Sequence, residues 1–210
     1  MSSDAPMPAA NDAAISEQFA ELAATYCALI HRALEVPPAD LLREVHRQLP
    51  ELYRVALTLP NVWVLTDEVS GEGEDDESDE ATEATSDKST DALPPMVAWM
   101  ARWRRLGQHL GSANYYREMF SPYDLAEIPP VTGDLADDFL DIERDLQRGL
   151  IRWHEGDRAG ATWEWQFHFA GHWGDHATSA LRALHALAYD DLGGVPYTRT
   201  LGSGSTPTSD

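Results

Sequence analysis

The stretch DRAGATWEWQFHFAGHWGDHATSALRALHALAY, residues Asp157 to Tyr189, decides how the rest of the chain is read. It holds three of the seven tryptophans and four of the eight histidines. On a helical wheel Trp163, Phe167, Ala170, Trp173, Ala177, Leu181, Leu184 and Ala188 form one apolar face, and Trp165, Phe169, Ala161, Ala183 and Leu187 form another opposite it. Only Glu164, Asp175, Thr178 and Arg182 make a plainly polar stripe. A helix apolar nearly all round is one that other elements surround. The sequence therefore predicts an all-α fold, a single-domain bundle of about six helices around this long C-terminal one.

Working outward, Glu155-Gly156-Asp157 closes a preceding helix, and Asp157 caps the central one. That preceding helix is capped by Thr132 or Asp134 and has the face Leu135, Phe139, Ile142, Leu146, Leu150 and Trp153. Its acids come early and its arginines late, as the helix dipole favours. Nearer the N-terminus, a helix starts at Asp12 or Ser16 with the stripe Ile15, Phe19, Leu22, Tyr26, Leu29, Ile30 and Ala33. Leu41, Leu42, Val45 and Leu49 continue the period after Pro38, and Pro50 imposes a kink or a restart. Val62-Trp63-Val64-Leu65 reads as an extended or helical segment. Met96 to Leu110 forms a helix carrying Arg102, Arg104 and Arg105.

The ordered domain is expected over residues 12–190, with disorder at 1–11, a flexible tail over 191–210 and a disordered acidic insert at 67–92. Residues 67–91 carry twelve acids against Lys88, so the formal charge of −21 leaves −10 for the other 185 residues. Such an insert lacks the apolar area that would offset its ordering entropy. No basic stripe exists to release counterions from nucleic acid, which speaks against direct binding to it. A basic protein partner is compatible with the charge. The lone Cys27 reads as a core thiol in a reducing compartment, and no signal or membrane-spanning run is visible, so a cytoplasmic chain is expected.

His168, His172 and His176 stand at i, i+4 and i+8, so one helix face presents three imidazoles, each about 40° from the next. Adjacent members of that row can chelate Zn²⁺ or another divalent transition metal, because i,i+4 side chains meet. All three cannot share one ion, since His168 and His176 are about 12 Å apart. A carboxylate from another helix must complete the set, and Asp137, Asp138 and Asp141 are available. Aromatic packing with hydrogen-bonded imidazoles accounts for the same pattern without a metal. Asp137, Asp138, Asp141 and Asp145 read first as a solvated helix face; Asp137-Asp138-x-x-Asp141 has the form of a magnesium–diphosphate motif but lacks a second copy. No H-E-x-x-H, G-x-S-x-G or phosphate-binding glycine loop occurs.

Tyr116 with Phe120 and Pro122, Asp137-Asp138, Asp141-Ile142, Asp145-Leu146, Trp163-Glu164-Trp165-Gln166-Phe167, His172-Trp173-Gly174-Asp175-His176 and Leu181-Arg182-Ala183-Leu184-His185 together resemble a bacterial family designated only as a domain of unknown function. The likeness covers residues 115–190 and extends into the first half through helical pattern and Leu49-Pro50. It implies a compact helical domain and no particular activity.

Two functions fit these residues. The first is a non-enzymatic protein-binding or regulatory role, of the immunity or antitoxin kind. It needs no cofactor and offers Asp137, Asp138, Asp141 and Asp145 together with an aromatic groove that includes Trp165. The second is a metal-binding protein or hydrolase, using His172 and His176, with His168 in the same row, and an aspartate from residues 134–156.

Overall fold

Helices dominate because the apolar residues recur at three- and four-residue spacings and little else competes. The computed structural model describes residues 10–60, 96–119 and 131–189. Helix α1 spans Ala10–His31 and α2 spans Pro38–Ala56, joined by a 3₁₀ turn at Ala33–Glu35. Helix α3 covers Met96–Leu110, and a second 3₁₀ turn at Gly111–Asn114 leads to strand β1, Tyr115–Glu118. Strand β2, Val131–Asp134, runs straight into α4, Leu135–His154. Helix α5, Arg158–His168, then continues through a π-helical turn at Phe169–Trp173 into α6, Gly174–Tyr189. The chain is thus mostly helical, with one two-stranded sheet among the described residues. The 67–92 insert, the Val62–Leu65 segment, residues 1–9 and the tail lie outside the described residues.

The hub of the bundle is α4, a correction to the expectation that Asp157–Tyr189 is the most buried element. Eleven of the twenty α4 residues are buried. Over Arg158–Tyr189 only Ala161, Thr162, Glu164, Trp165, Trp173, Gly174, Ala177, Ala180, Leu184 and Ala188 are. Helix α4 packs against α1, α3, α5 and α6. Its apolar stripe lies in the core, with Phe139, Ile142 and Leu146 fully buried.

The π turn explains the difference. A turn closed by i→i+5 bonds holds about one residue more than the 3.6 of an α turn. The eight residues from Trp165 to Trp173 therefore make close to two whole turns and bring both indoles to one side. Both are fully buried, and the Trp173 indole N–H donates to the Trp165 carbonyl at 3.2 Å. Phe19 of α1 packs on both rings. Trp165 in turn lies across α4 where Gly149 leaves space, since a Cβ there would sit 2.1 Å from its Nε1. Its N–H donates to the Leu146 carbonyl. Phe167, assigned to an apolar face by the uniform wheel, is 43% exposed.

Local signals set several boundaries as expected. Asp134 caps α4 by accepting from the Asp137 N–H, and Asp157 caps α5 by accepting from Gly160 N–H. Pro38 stands in the first turn of α2. Of the two alternatives at Pro50 the restart does not occur: helix α2 continues through it, because Leu49, Leu52, Val55 and Ala56 on either side are all buried and their packing outweighs one lost backbone bond. One local expectation is corrected. Ser16 is not a cap; it lies inside α1, buried, and accepts a hydrogen bond from Thr162.

A buried acid in the core is paired with an arginine from a neighbouring helix. Arg102 of α3 makes a two-pronged contact with Glu143 of α4, at 2.7 and 3.2 Å, and donates to the Ile30 carbonyl. Cys27 is buried, and burial followed by the nearby Glu143 carboxylate pushes its thiol pKa far up, so it is a core thiol. No helix among the described residues is long and apolar enough to cross a membrane.

Candidate metal centre

The acids of α4 and the imidazoles of the π turn and α6 face each other along one seam. His172 Nδ1 lies 2.7 Å from Asp145 Oδ2, and His176 Nδ1 lies 2.9 Å from Asp138 Oδ1. An ionised carboxylate only accepts, so against one each of these ring nitrogens carries the proton, and in the neutral ring Nε2 then holds the lone pair. On His176 that Nε2 is 3.7 Å from Asp141 Oδ2. One ligand atom from each of Asp141, His172 and His176 lies within 4.8 Å of the others. The two imidazoles sit edge to face, with centroids 4.8 Å apart.

His168 stands apart from that trio. Its Nδ1 is 3.6 Å from Asp145 Oδ1 and its Nε2 is 3.3 Å from Glu164 Oε2. Glu164, itself buried, is held by Arg152 Nε at 2.9 Å. His168 thus braces the partner of His172 rather than joining His172 and His176.

The expected acidic surface is not an open one. Asp138 and Asp145 are 4% and 3% exposed, and both are engaged by histidines. Asp137 and Asp141 are half-buried. Trp165, placed by the sequence in a binding groove, is wholly inside the core. His185 is a rim residue, its ring packed on Tyr189.

Four carboxylates converge here on two neighbouring imidazoles, and burial, with the gathered charge behind it, shifts several of these groups. Burial lifts the Asp137 pKa to about 6, with Asp141 and Asp134 adding repulsion. Asp141 is raised by burial, against the pull of His176 and His172. Burial also raises Asp138, while hydrogen bonds from His176 and Tyr116 oppose it. The Asp145 hydrogen bond raises His172 above an ordinary imidazole. His176 is pulled down by burial, yet its hydrogen bond to Asp138 and the nearby Asp138, Asp141 and Asp137 charges leave it raised. Such a set favours protons or a cation.

A cleft of about 530 Å³ opens beside the two histidines, walled by Tyr116, Glu118, Asp137 and Arg182 among others. The strand pair forms one side of it. Strands β1 and β2 are antiparallel, with Tyr116 opposite Gly133. The Tyr116 hydroxyl donates to Asp138 Oδ2 at 2.7 Å. Sequence reasoning assigned no role to Tyr116, Gly133 or Glu164. The four-residue strands carry too short a pattern to announce themselves, and their pairing brings together residues far apart in the chain.

Asp141, His172 and His176 have the composition of a transition-metal set: two imidazoles and one carboxylate. Asp138 and Asp145 occupy the position of the carboxylates that orient metal-binding imidazoles. The second acid motif that a diphosphate site requires is replaced here by histidines.

The chain belongs to the family described as Domain of unknown function (DUF5063), whose model matches residues 12–190. Among solved structures it is similar to the crystal structure of protein BF1032 from Bacteroides fragilis, a Northeast Structural Genomics Consortium target. The two are 20% identical with a TM-score of 0.57, over 84% of this chain and 94% of that one. At that identity the likeness concerns the fold alone. The curated proteins contain no match to the chain.

Proposed function

We propose that this protein binds a divalent transition metal through Asp141, His172 and His176 and uses it, in the manner of a hydrolase, on a molecule held in the adjoining cleft. The observation that carries the reading is the pairing of both Nδ1 atoms with buried carboxylates, which leaves the Nε2 atoms free of those bonds, that of His176 at 3.7 Å from Asp141 Oδ2, with one ligand atom of His172 in the same group. For a tetrahedral ion the ligand atoms stand about 3.4 Å apart, a distance that follows from metal–nitrogen bonds of about 2.1 Å. Closing from 4.8 Å asks only for a side-chain adjustment. Three protein ligands leave a fourth position open, and a metal there polarises a carbonyl or lowers the pKa of a water.

A role as an acidic docking surface for a basic protein would need Asp137, Asp138, Asp141 and Asp145 to face solvent. Two of the four are buried against histidines, so the metal reading has the stronger support.

The test is metal analysis of protein purified without an affinity tag, with His172→Ala, His176→Ala and Asp141→Ala variants alongside. Near-stoichiometric zinc, iron or manganese that is lost in all three is the expected result. Protein that neither retains nor takes up any of these metals overturns the reading.

A further inference from the structure

We propose that Tyr116 is a positioning residue for this centre, acting on His176 through Asp138, and that Gly133 is the vacancy its ring requires. The inference rests on the metal reading of Asp141, His172 and His176.

Both oxygens of Asp138 are committed, each to a different partner. Oδ1 accepts from His176 Nδ1 at 2.9 Å, and Oδ2 accepts from the Tyr116 hydroxyl at 2.7 Å. A carboxylate held at one oxygen only can turn about its last torsion, which is broad; one held at both cannot turn without breaking a bond. The phenol therefore fixes the plane of Asp138, and Asp138 fixes the ring of His176 and the direction of its Nε2.

Tyr116 reaches α4 by crossing its partner on the neighbouring strand. The register places it opposite Gly133. A Cβ on residue 133 would stand 2.6 Å from Tyr116 Cζ and 2.9 Å from its Cε2 and hydroxyl oxygen. No side chain fits there while the ring keeps its place.

The ribbon that carries Tyr116 is tied to the helices that carry the proposed ligands. Strand β2 enters α4 without a linker, and the Asn114 side chain, beside β1, accepts from the Ala136 N–H at 2.9 Å. On the other side, Ser179 of α6 donates to Glu118 and Arg182 of α6 donates to the Arg117 carbonyl. A tyrosine on this ribbon is thus anchored relative to both Asp141 and His176, which a tyrosine on a free loop is not.

The experiment is cobalt(II) titration of the full chain, followed by visible ligand-field absorption, for wild type, Tyr116→Phe, Gly133→Ala, the double variant and Tyr115→Phe. Tyr115 is the exposed neighbour on the same strand and serves as control. Loss of a partner bonded directly to a ligand lowers metal affinity by about 10–100-fold. Tyr116 acts one bond further out, so Tyr116→Phe should fall near the lower end of that range, at about 10-fold, with a shifted ligand-field band, and Gly133→Ala should reproduce it while keeping the hydroxyl. The double variant should be no weaker than either single one, since both break one link. Tyr115→Phe should match wild type. Wild type that binds cobalt with Tyr116→Phe equal to it in affinity and spectrum overturns the positioning role and leaves the metal reading standing. Wild type that binds neither cobalt nor zinc, iron or manganese overturns both. If Tyr116→Phe does not fold, Gly133→Ala decides by the same two readouts.

Discussion

Asp145 Oδ2 lies 2.7 Å from His172 Nδ1, and the carboxylate that makes this contact is 3% exposed. Its other oxygen faces His168 at 3.6 Å and Arg148 at 3.8 Å. Asp145→Asn replaces a pure acceptor by a group that can present either an amide or a carbonyl, so His172 loses the bond that selects its tautomer. Metal affinity is expected to fall about 10–100-fold, measured by competition against a chromogenic chelator. Affinity equal to wild type would remove Asp145 from the account of the site.

His168→Ala separates the row of three imidazoles into its parts. His168 contacts Asp145 and Glu164 and is not in the group with Asp141, His172 and His176. The expected outcome is retained metal stoichiometry with an affinity loss smaller than that of Asp145→Asn. Complete loss of metal would make His168 a ligand.

The metal-free protein should become more stable as the pH is lowered from about 8 to about 6. His172 and His176 are both raised above the ordinary 6.5, through Asp145 in the first case and, against burial, through Asp138 in the second. Asp137 is raised from 3.8 to about 6 by burial and by Asp141 and Asp134. For each of these three groups the folded pKa exceeds the unfolded one, so together they bind more protons in the folded chain across this window and outnumber His46, which burial and the nearby His185 hold below the ordinary value and which acts in the opposite sense. The histidine contributions are complete below about 6.5 and are lost as pH rises through the raised values; that of Asp137 is lost through about 6. A bound metal displaces the histidine protons, so saturating zinc should flatten or reverse the slope. Thermal midpoints at the two pH values, with and without zinc, measure both effects. A metal-free midpoint that falls on acidification contradicts the argument.

Gly149→Ala tests the core beneath the site. Its Cβ would stand 2.1 Å from Trp165 Nε1, so either the indole or α5 must move. Overpacking of this kind costs about 1–3 kcal/mol, read from urea denaturation. No loss of stability would mean that Trp165 has room to shift.

Arg102→Met leaves Glu143 buried without its cation. Glu143 is 2% exposed at its side chain while Arg102 is 31% exposed. Breaking a buried pair costs about 3–5 kcal/mol, and the partial exposure of Arg102 places this one near or below the lower end. Glu143→Gln with Arg102→Met should recover part of the loss, because the stranded charge is then gone.

The sequence by itself determined most of the helical spans, the cap at Asp157, the core stripe of α4 and the histidine row, and it narrowed the cap of α4 to Thr132 or Asp134. Each of these follows from spacings within one turn or a few turns, where i, i+3 and i+4 neighbours are set by helix geometry alone. Only the tertiary structure decided which aspartate meets which histidine, because that depends on how α4 docks against the π turn and α6. The π turn itself shifted the phase of the row, so Trp165 and Trp173 share a buried side that a uniform wheel separates. The reach of Tyr116 across Gly133 to Asp138 likewise exists only once two four-residue strands are paired in register. A helix period written in the chain says which side chains share a face; what that face meets is settled by packing between elements distant in sequence.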